Sequence, residues 1–295
     1  MDEEKHYLLR KSWRKDLLQF AVGDVRDFER VMEVSRGVDV VFHAAALKQV
    51  PMCEFHPYEA VKTNIFGANN VRLAAIRNNV KRVVAISTDK AVKPVNAMGM
   101  TKSIQEKIML SSEETTFETQ FACVRYGNVI GSRGSVIPLF KDKIKRGEPL
   151  TVTEGGMTRF LLTLKDAIDL VFYAAARTKE REIFVKKAPA CYIMDLAKTL
   201  SKQLTGKNNY PVKEVPMRPG EKIHEVLVSE EEMPRAREEE EHFIIYPHLH
   251  YTQMMEKGQG KWFRKYLKDH EYASSNTTIL DDKGIVALLK KGGWL

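Results

Sequence analysis

Hydrophobic residues fall along the chain in short, near-continuous runs rather than in strict alternation. Gln19-Phe20-Ala21-Val22 ends in Gly23-Asp24, Val38 to Ala46 is a second run, Arg82 to Thr88 a third and Phe121 to Gly127 a fourth. Each is bounded by polar or glycine signals and rich in β-branched residues. Such runs predict strands buried on both faces, and so a parallel sheet. Between them lie stretches of helical length, Phe28–Arg36, Pro57–Asn79 and Met98–Glu113. This alternation predicts an α/β fold with a doubly wound parallel sheet.

From about Pro138 the elements shorten. Asp166–Thr178 and Met194–Leu204 predict amphipathic helices, and Lys283–Lys291 a small one near the end. Glu230–Glu241 is a charge run and reads as a solvated helix or loop. Neither a repeat nor a flexible linker interrupts the chain. The expected organisation is a sheet domain over residues 1–137, with a smaller substrate-side lobe and C-terminal extension over 138–295.

Composition narrows the class without choosing a function. The 295 residues are 43% hydrophobic and 29% charged, which excludes fibrous, low-complexity and broadly disordered chains. No apolar run is long enough to span a bilayer, and the opening residues carry no signal-peptide core, so no membrane insertion is expected. Cys53, Cys123 and Cys191 form no close pair, as suits a reducing cytoplasmic setting. A net charge of +8 suits either nucleic acid or a polyanionic small substrate such as a nucleotide diphosphate. The basic residues form no stripe interleaved with aromatics, which disfavours nucleic acid.

A dinucleotide-binding sheet ordinarily opens with a strand, a glycine-rich turn and a helix whose N-terminus holds the pyrophosphate. Gly23, Gly37 and Gly67 are too scattered for that fingerprint, and the pairs Gly155-Gly156 and Gly292-Gly293 come too late. The expectation is a Rossmann-like sheet lacking its first βα unit, through a truncated or misassigned N-terminus.

The densest chemistry is Ser87-Thr88-Asp89-Lys90 at the end of the third run, followed by Met98-Gly99-Met100-Thr101-Lys102 opening a helix. Strand C-termini line the ligand crevice of open α/β sheets, which points Asp89 and Lys90 at a site and brings Lys102 within reach. An acid and two amines there can move protons and fix a hydroxylated ligand. On spacing alone, Asp89 as a turn cap and Lys102 as a surface lysine fit equally well. His43, at a strand end, reads as a satisfied core histidine. His248 and His250 lack carboxylate or thiolate partners at ligand spacing, so no metal is expected.

These residues resemble the extended short-chain dehydrogenase/reductases. More narrowly they resemble the capsule-type UDP-N-acetylglucosamine 4,6-dehydratases that invert C5. The resemblance runs from about residue 19 to the C-terminus. It also rests on Gly23–Asp27, His43–Pro51, Cys53-Glu54-Phe55, Val61–Asn64, Arg125–Val129, Gly131–Pro138, Met157–Phe160, Arg218–Lys222 and Ser274–Thr277. Two departures stand out: the glycine-rich opening is absent, and the family's catalytic tyrosine is Met98, whose thioether has no proton to give.

The resemblance implies a lyase of surface-polysaccharide biosynthesis that uses NADP, with NAD as the alternative, on a UDP-sugar. It also implies a homo-oligomer, hexamers being common in the family. In it, Lys90 is the base at C5, Asp89 the acid toward the C6 oxygen, Thr88 a hydrogen-bond partner near O4, and Lys102 a holder of the nicotinamide ribose. Cofactor contacts are implied for Asp24 and Val25 at the adenine, and for Ala44, Ala45, Ala46, Lys48, Asn64 and Tyr126. Substrate contacts are implied for Asn128, Arg133, Ser135, Val136, Arg159, Arg218 and Glu221. Taken singly, each of these arginines equally fits a surface salt bridge. A UDP-sugar 4-epimerase and a non-catalytic remnant are the competing readings.

Overall fold

The computed structural model describes residues 17–111, 118–132, 134–179, 181–248, 252, 256 and 271–295. Its strands in chain order are β1 (Val40–His43), β2 (Arg82–Ile86), β3 (Gln120–Arg125), β4 (Asn128–Val129), β5 (Leu150–Val152), β6 (Thr158–Leu162), β7 (Ile183–Lys186), β8 (Ala190–Tyr192), β9 (Val212–Glu214), β10 (Val226–Val228), β11 (Ala236–Glu238), β12 (His242–Ile245) and β13 (Tyr272–Ala273). The large sheet has the order β1-β2-β3-β7-β12-β11. Its first four strands are parallel, with Val41 beside Val83, Val83 beside Phe121 and Val124 beside Phe184. Then β12 runs antiparallel to β7, and β11 antiparallel to β12.

Successive side chains on a strand face opposite ways, so a run that is apolar throughout buries both faces. Val83, Ala85, Phe121 and Cys123 pack on one side with Ala68, Val71 and Ala75 of the helix Gly67–Arg77. Val84, Ala122, Val124 and Phe184 pack on the other with Leu170 and Ala174 of the helix Leu164–Arg177. The sheet is therefore doubly wound, as the pattern predicts. A separate core, with Phe140, Leu150, Leu196, Leu200, Ile285 and Leu289, fills the smaller part of the molecule. Residues past 138 thus build that part and also send β7, β11 and β12 back into the large sheet.

Three sequence-based expectations need correction. Gln19–Val22 is irregular and largely exposed rather than a strand, because no neighbouring strand pairs with it among the described residues. The second run leaves the sheet after His43, so Ala44–Ala46 form a loop. The charge run at Glu230–Glu241 is not simply solvated: Glu232 and Arg235 are buried, and Ala236–Glu238 is β11. Glu232 is drawn in by Arg125, whose buried guanidinium it meets at 2.8 Å. The expected helix Pro57–Asn79 forms as Pro57–Ala60, a π-helical segment Val61–Phe66 and Gly67–Arg77.

Candidate active site

The C-terminal ends of β1, β2 and β3 open into a cavity of about 520 Å³. Ala44, Ala46 and Lys48 line it from the loop after β1, Thr88, Asp89 and Lys90 from the turn after β2, and Tyr126, Gly127 and Asn128 from the segment after β3. Met98 and Lys102 reach it from the helix Ala97–Met109. Sequence reasoning therefore brought together residues that lie far apart in the chain. It missed Leu164, Ala167, Ile168 and Val171, which form an apolar wall from one helix. Their signal was the width of that helix's apolar stripe, with Leu164 and Ile168 left exposed.

Thr88 caps a short 3₁₀ turn over Asp89–Ala91. Its hydroxyl donates to Asp89 Oδ1 at 2.8 Å, and Lys90 Nζ meets the same oxygen at 3.0 Å. Asp89 is 1% exposed, and its other oxygen, Oδ2, has no hydrogen-bond partner among the described residues. Turn-capping accounts for none of this burial, since an unpaired carboxylate oxygen is costly away from water. Lys90 also approaches Glu225 Oε1 at 3.3 Å. Burial pulls the Lys90 ammonium toward losing its proton, but Asp89 and Glu225 outweigh that pull and hold its proton affinity above the ordinary lysine value. Glu225 carries no role in the motifs read from the sequence.

Lys102 is buried, not at the surface. It donates to Ile86 O at 2.5 Å and to Gln105 Oε1 at 2.7 Å, and burial pushes its pKa down to about 8. The helix that carries it starts from Asn96, whose side chain accepts from Gly99 N and donates to Gly220 O, each at 2.8 Å. Glu54 adds a second cap by accepting from Ala97 N at 2.6 Å. A Cβ at Gly99 would sit 2.3 Å from Lys90 O, so only glycine lets this helix approach the turn after β2 so closely. Met98 packs with Cys53 and Ala60 and offers no proton.

The remaining expected site residues divide. Asn128 lines the cavity with a buried Oδ1 that has no hydrogen-bond partner among the described residues. Asn64 is wholly buried, and its amide is spent on both backbone atoms of Leu47 and on Thr101 Oγ1, so it shapes the loop after β1. Arg159 donates to the carbonyls of Thr158, Lys222 and Ile223, which ties it to the 222–223 segment. Asp24 is held by Arg26, and Val25 packs against Gly67; neither borders the cavity. Ala45, Ser135, Val136, Arg218 and Glu221 also lie off its wall, the last two joined by Arg218 N donating to Glu221 Oε2 at 3.3 Å. Arg133 and His250 lie outside the described residues. His43 is core as expected, held neutral by burial with a pKa of about 4, yet its Nε2 has no partner.

A nicotinamide–ribose fits this cavity at one end. Ala44 and Ala46 are small enough for close approach, and Lys102, Tyr126 and the orphaned Asn128 Oδ1 offer polar contacts. Among the described residues no glycine-rich strand-to-helix turn stands beside β1 to hold a pyrophosphate.

A parallel sheet with Thr-Asp-Lys at one strand end, Met-x-x-x-Lys on the following helix and a small-residue loop opposite defines a short-chain dehydrogenase/reductase of the extended, nucleotide-sugar-modifying class. Residues 1–247 match a family described as "Polysaccharide biosynthesis protein", and the chain belongs to that family. It is 44% identical over 293 residues to a UDP-glucose 4-epimerase of Rickettsia akari (strain Hartford), covering 98% of this chain and 84% of that one. The protein of that name from Rickettsia typhi (strain ATCC VR-144 / Wilmington) is 45% identical over the same shares. The X-ray structure of Pen from Bacillus thuringiensis superposes with a TM-score of 0.88 at 36% identity, covering 99% of this chain and 88% of that one. DesIV, a dTDP-glucose 4,6-dehydratase from Streptomyces venezuelae, shares the fold at a TM-score of 0.66 and 20% identity, over 75% and 73% of the two chains.

Proposed function

We propose that the chain is an NADP-dependent UDP-N-acetylglucosamine 4,6-dehydratase that inverts C5. The observation that carries this is the buried Asp89–Lys90 pair on the cavity wall, beside a methionine where the proton-shuttling tyrosine would stand. Removing water across C5 and C6 needs an acid and a base at neighbouring carbons, and Asp89 and Lys90 supply both. Epimerisation at C4 needs a proton shuttle at one oxygen only.

A nicotinamide dinucleotide held beside Ala44, Ala46 and Lys102 would supply the hydride acceptor and donor for this chemistry. The protein handles the protons. Thr88 accepts the O4 proton and passes its own to Asp89 Oδ1, along the hydrogen bond already in place at 2.8 Å. Asp89, now neutral, is the acid that protonates the departing C6 hydroxyl, so the proton gained from O4 leaves in water. Its neutralisation removes one of the two carboxylates that keep Lys90 charged, so the ammonium releases a proton to solvent. The neutral amine takes the C5 proton, while a solvent proton returned to C5 on the opposite face completes the inversion. Lys102 holds the ribose, and the apolar wall of Leu164, Ile168 and Val171 keeps water from the reacting carbons.

A UDP-sugar 4-epimerase is the second reading, favoured by the name of the 44%-identical Rickettsia relatives. Incubating UDP-N-acetylglucosamine with NADP and the chain, or its Lys90→Ala variant, separates the two. The dehydratase reading expects a product lighter by one water from the unsubstituted chain and none from Lys90→Ala. A mass-neutral epimer from both chains would contradict it.

A further inference from the structure

We propose that Glu225, reaching in from the C-terminal half of the chain, is a positioning residue for Lys90: it supplies the second carboxylate of the ammonium's seat and so governs the lysine's charge during turnover. Its meaning for turnover rests on the dehydratase reading; its placement does not.

Glu225 is 2% exposed. Its backbone is fixed on both sides by Ser274, which accepts from Glu225 N at 2.9 Å and donates its own N–H to Glu225 O at 2.8 Å. Ser274 is in turn hydrogen-bonded to Thr158 Oγ1 at 2.7 Å, and the next residue, Val226, pairs with Ala273 between β10 and β13. The carboxylate is thus placed by three segments from the second half of the chain. A buried carboxylate persists only where cations face it. Three do: Lys90 at 3.3 Å, Arg159 at 3.8 Å and Lys222 at 3.8 Å.

Two of those cations are anchored without it. Arg159 holds three backbone carbonyls, and Lys222 donates to Val92 O at 2.6 Å. Among the described residues, the ion-pair partners of Lys90 are Asp89 and Glu225. The charged groups around the Lys90 ammonium are therefore Asp89 from its own turn, Glu225 and Lys222 from the 222–225 segment, and Arg159 from β6. Without Glu225, one carboxylate would face three cations, and Lys90 is the one free to shed its proton. Glu225 Oε2 accepts no hydrogen bond among the described residues.

The test is a titration of the Lys90 side chain by NMR in the intact lysine-labelled chain, its signal assigned by absence in Lys90→Arg. In the unsubstituted chain the midpoint should lie above the ordinary lysine value of about 10.4. In Glu225→Gln it should fall by about one pH unit or more, and in Glu225→Asp by less. A midpoint below the ordinary value in the unsubstituted chain, or one that does not move in the folded variants, overturns the proposal. The first of these readings needs no variant to fold. Because the titration needs no turnover, a chain that makes no dehydrated product but shows these shifts refutes the dehydratase reading and leaves Glu225's role standing.

Discussion

Lys102 is where function and stability pull in opposite directions. Burial brings its pKa from 10.5 down to about 8, a gap of about 2.5 pH units. The unfolded chain keeps the ordinary value, so below pH 8 folding must hold a proton on a poorly solvated amine. At about 1.4 kcal/mol per pH unit this costs about 3 kcal/mol. The sign follows from proton counts: between pH 8 and 10.5 the unfolded chain binds more protons than the folded one, so stability rises with pH through that window. Lys102→Met deletes this contribution and keeps the apolar stem. It also deletes two hydrogen bonds, but Gln105 Nε2 still donates to Ile86 O at 3.2 Å. Thermal unfolding of both chains at pH 7 and pH 10 isolates the effect, since other groups cancel in the difference. The melting temperature of the variant relative to the unsubstituted chain should be higher at pH 7 than at pH 10, by roughly 5 °C. A difference that does not change with pH, or that changes in the opposite direction, refutes burial as what sets this lysine's charge.

Other perturbations probe the surroundings of the site. Gly99→Ala drives a methyl into Lys90 O, should cost about 1–3 kcal/mol in urea unfolding, and should suppress turnover by displacing the catalytic turn; a folded variant of full activity would refute that close contact. Met98→Leu keeps the packing with Cys53 and Ala60, so turnover should stay within about threefold and stability within about 1.5 kcal/mol; abolished turnover would mean that the thioether itself is needed. Arg125→Met strands Glu106 and Glu232 as buried carboxylates and should cost about 3–5 kcal/mol at pH 7. Burial works to raise the pKa of Glu232, but Arg125 overcomes it and holds the value at about 2, below the ordinary 4.5. Its stabilisation is present above pH 4.5 and lost as pH falls toward 2, and acid titration of the Arg125→Met variant should lack that step.

The doubly wound sheet was legible because strands buried on both faces must be apolar throughout, and β2 and β3 are. That the turn after β2 lines the cavity was legible because strand ends face the crevice, and Thr88–Lys90 follow β2 directly. What the sequence hid was contact across long separations. Glu225 lies 135 positions beyond Lys90, in a stretch whose local pattern says nothing of that contact. Asn64 and Arg159 carry ligand-binding chemistry by type, but their hydrogen bonds go mostly to backbone, which no spacing announces. Gln19–Val22 has strand composition yet is irregular, and composition alone does not make a sheet.

The most direct test of the dehydratase account is turnover of UDP-N-acetylglucosamine in heavy water with NADP, read by mass spectrometry and NMR. Proton removal and return at C5 predict a product that has lost one water and carries solvent deuterium at C5. A product of unchanged mass, inverted at C4 and free of solvent deuterium, would contradict the account and establish epimerisation in its place.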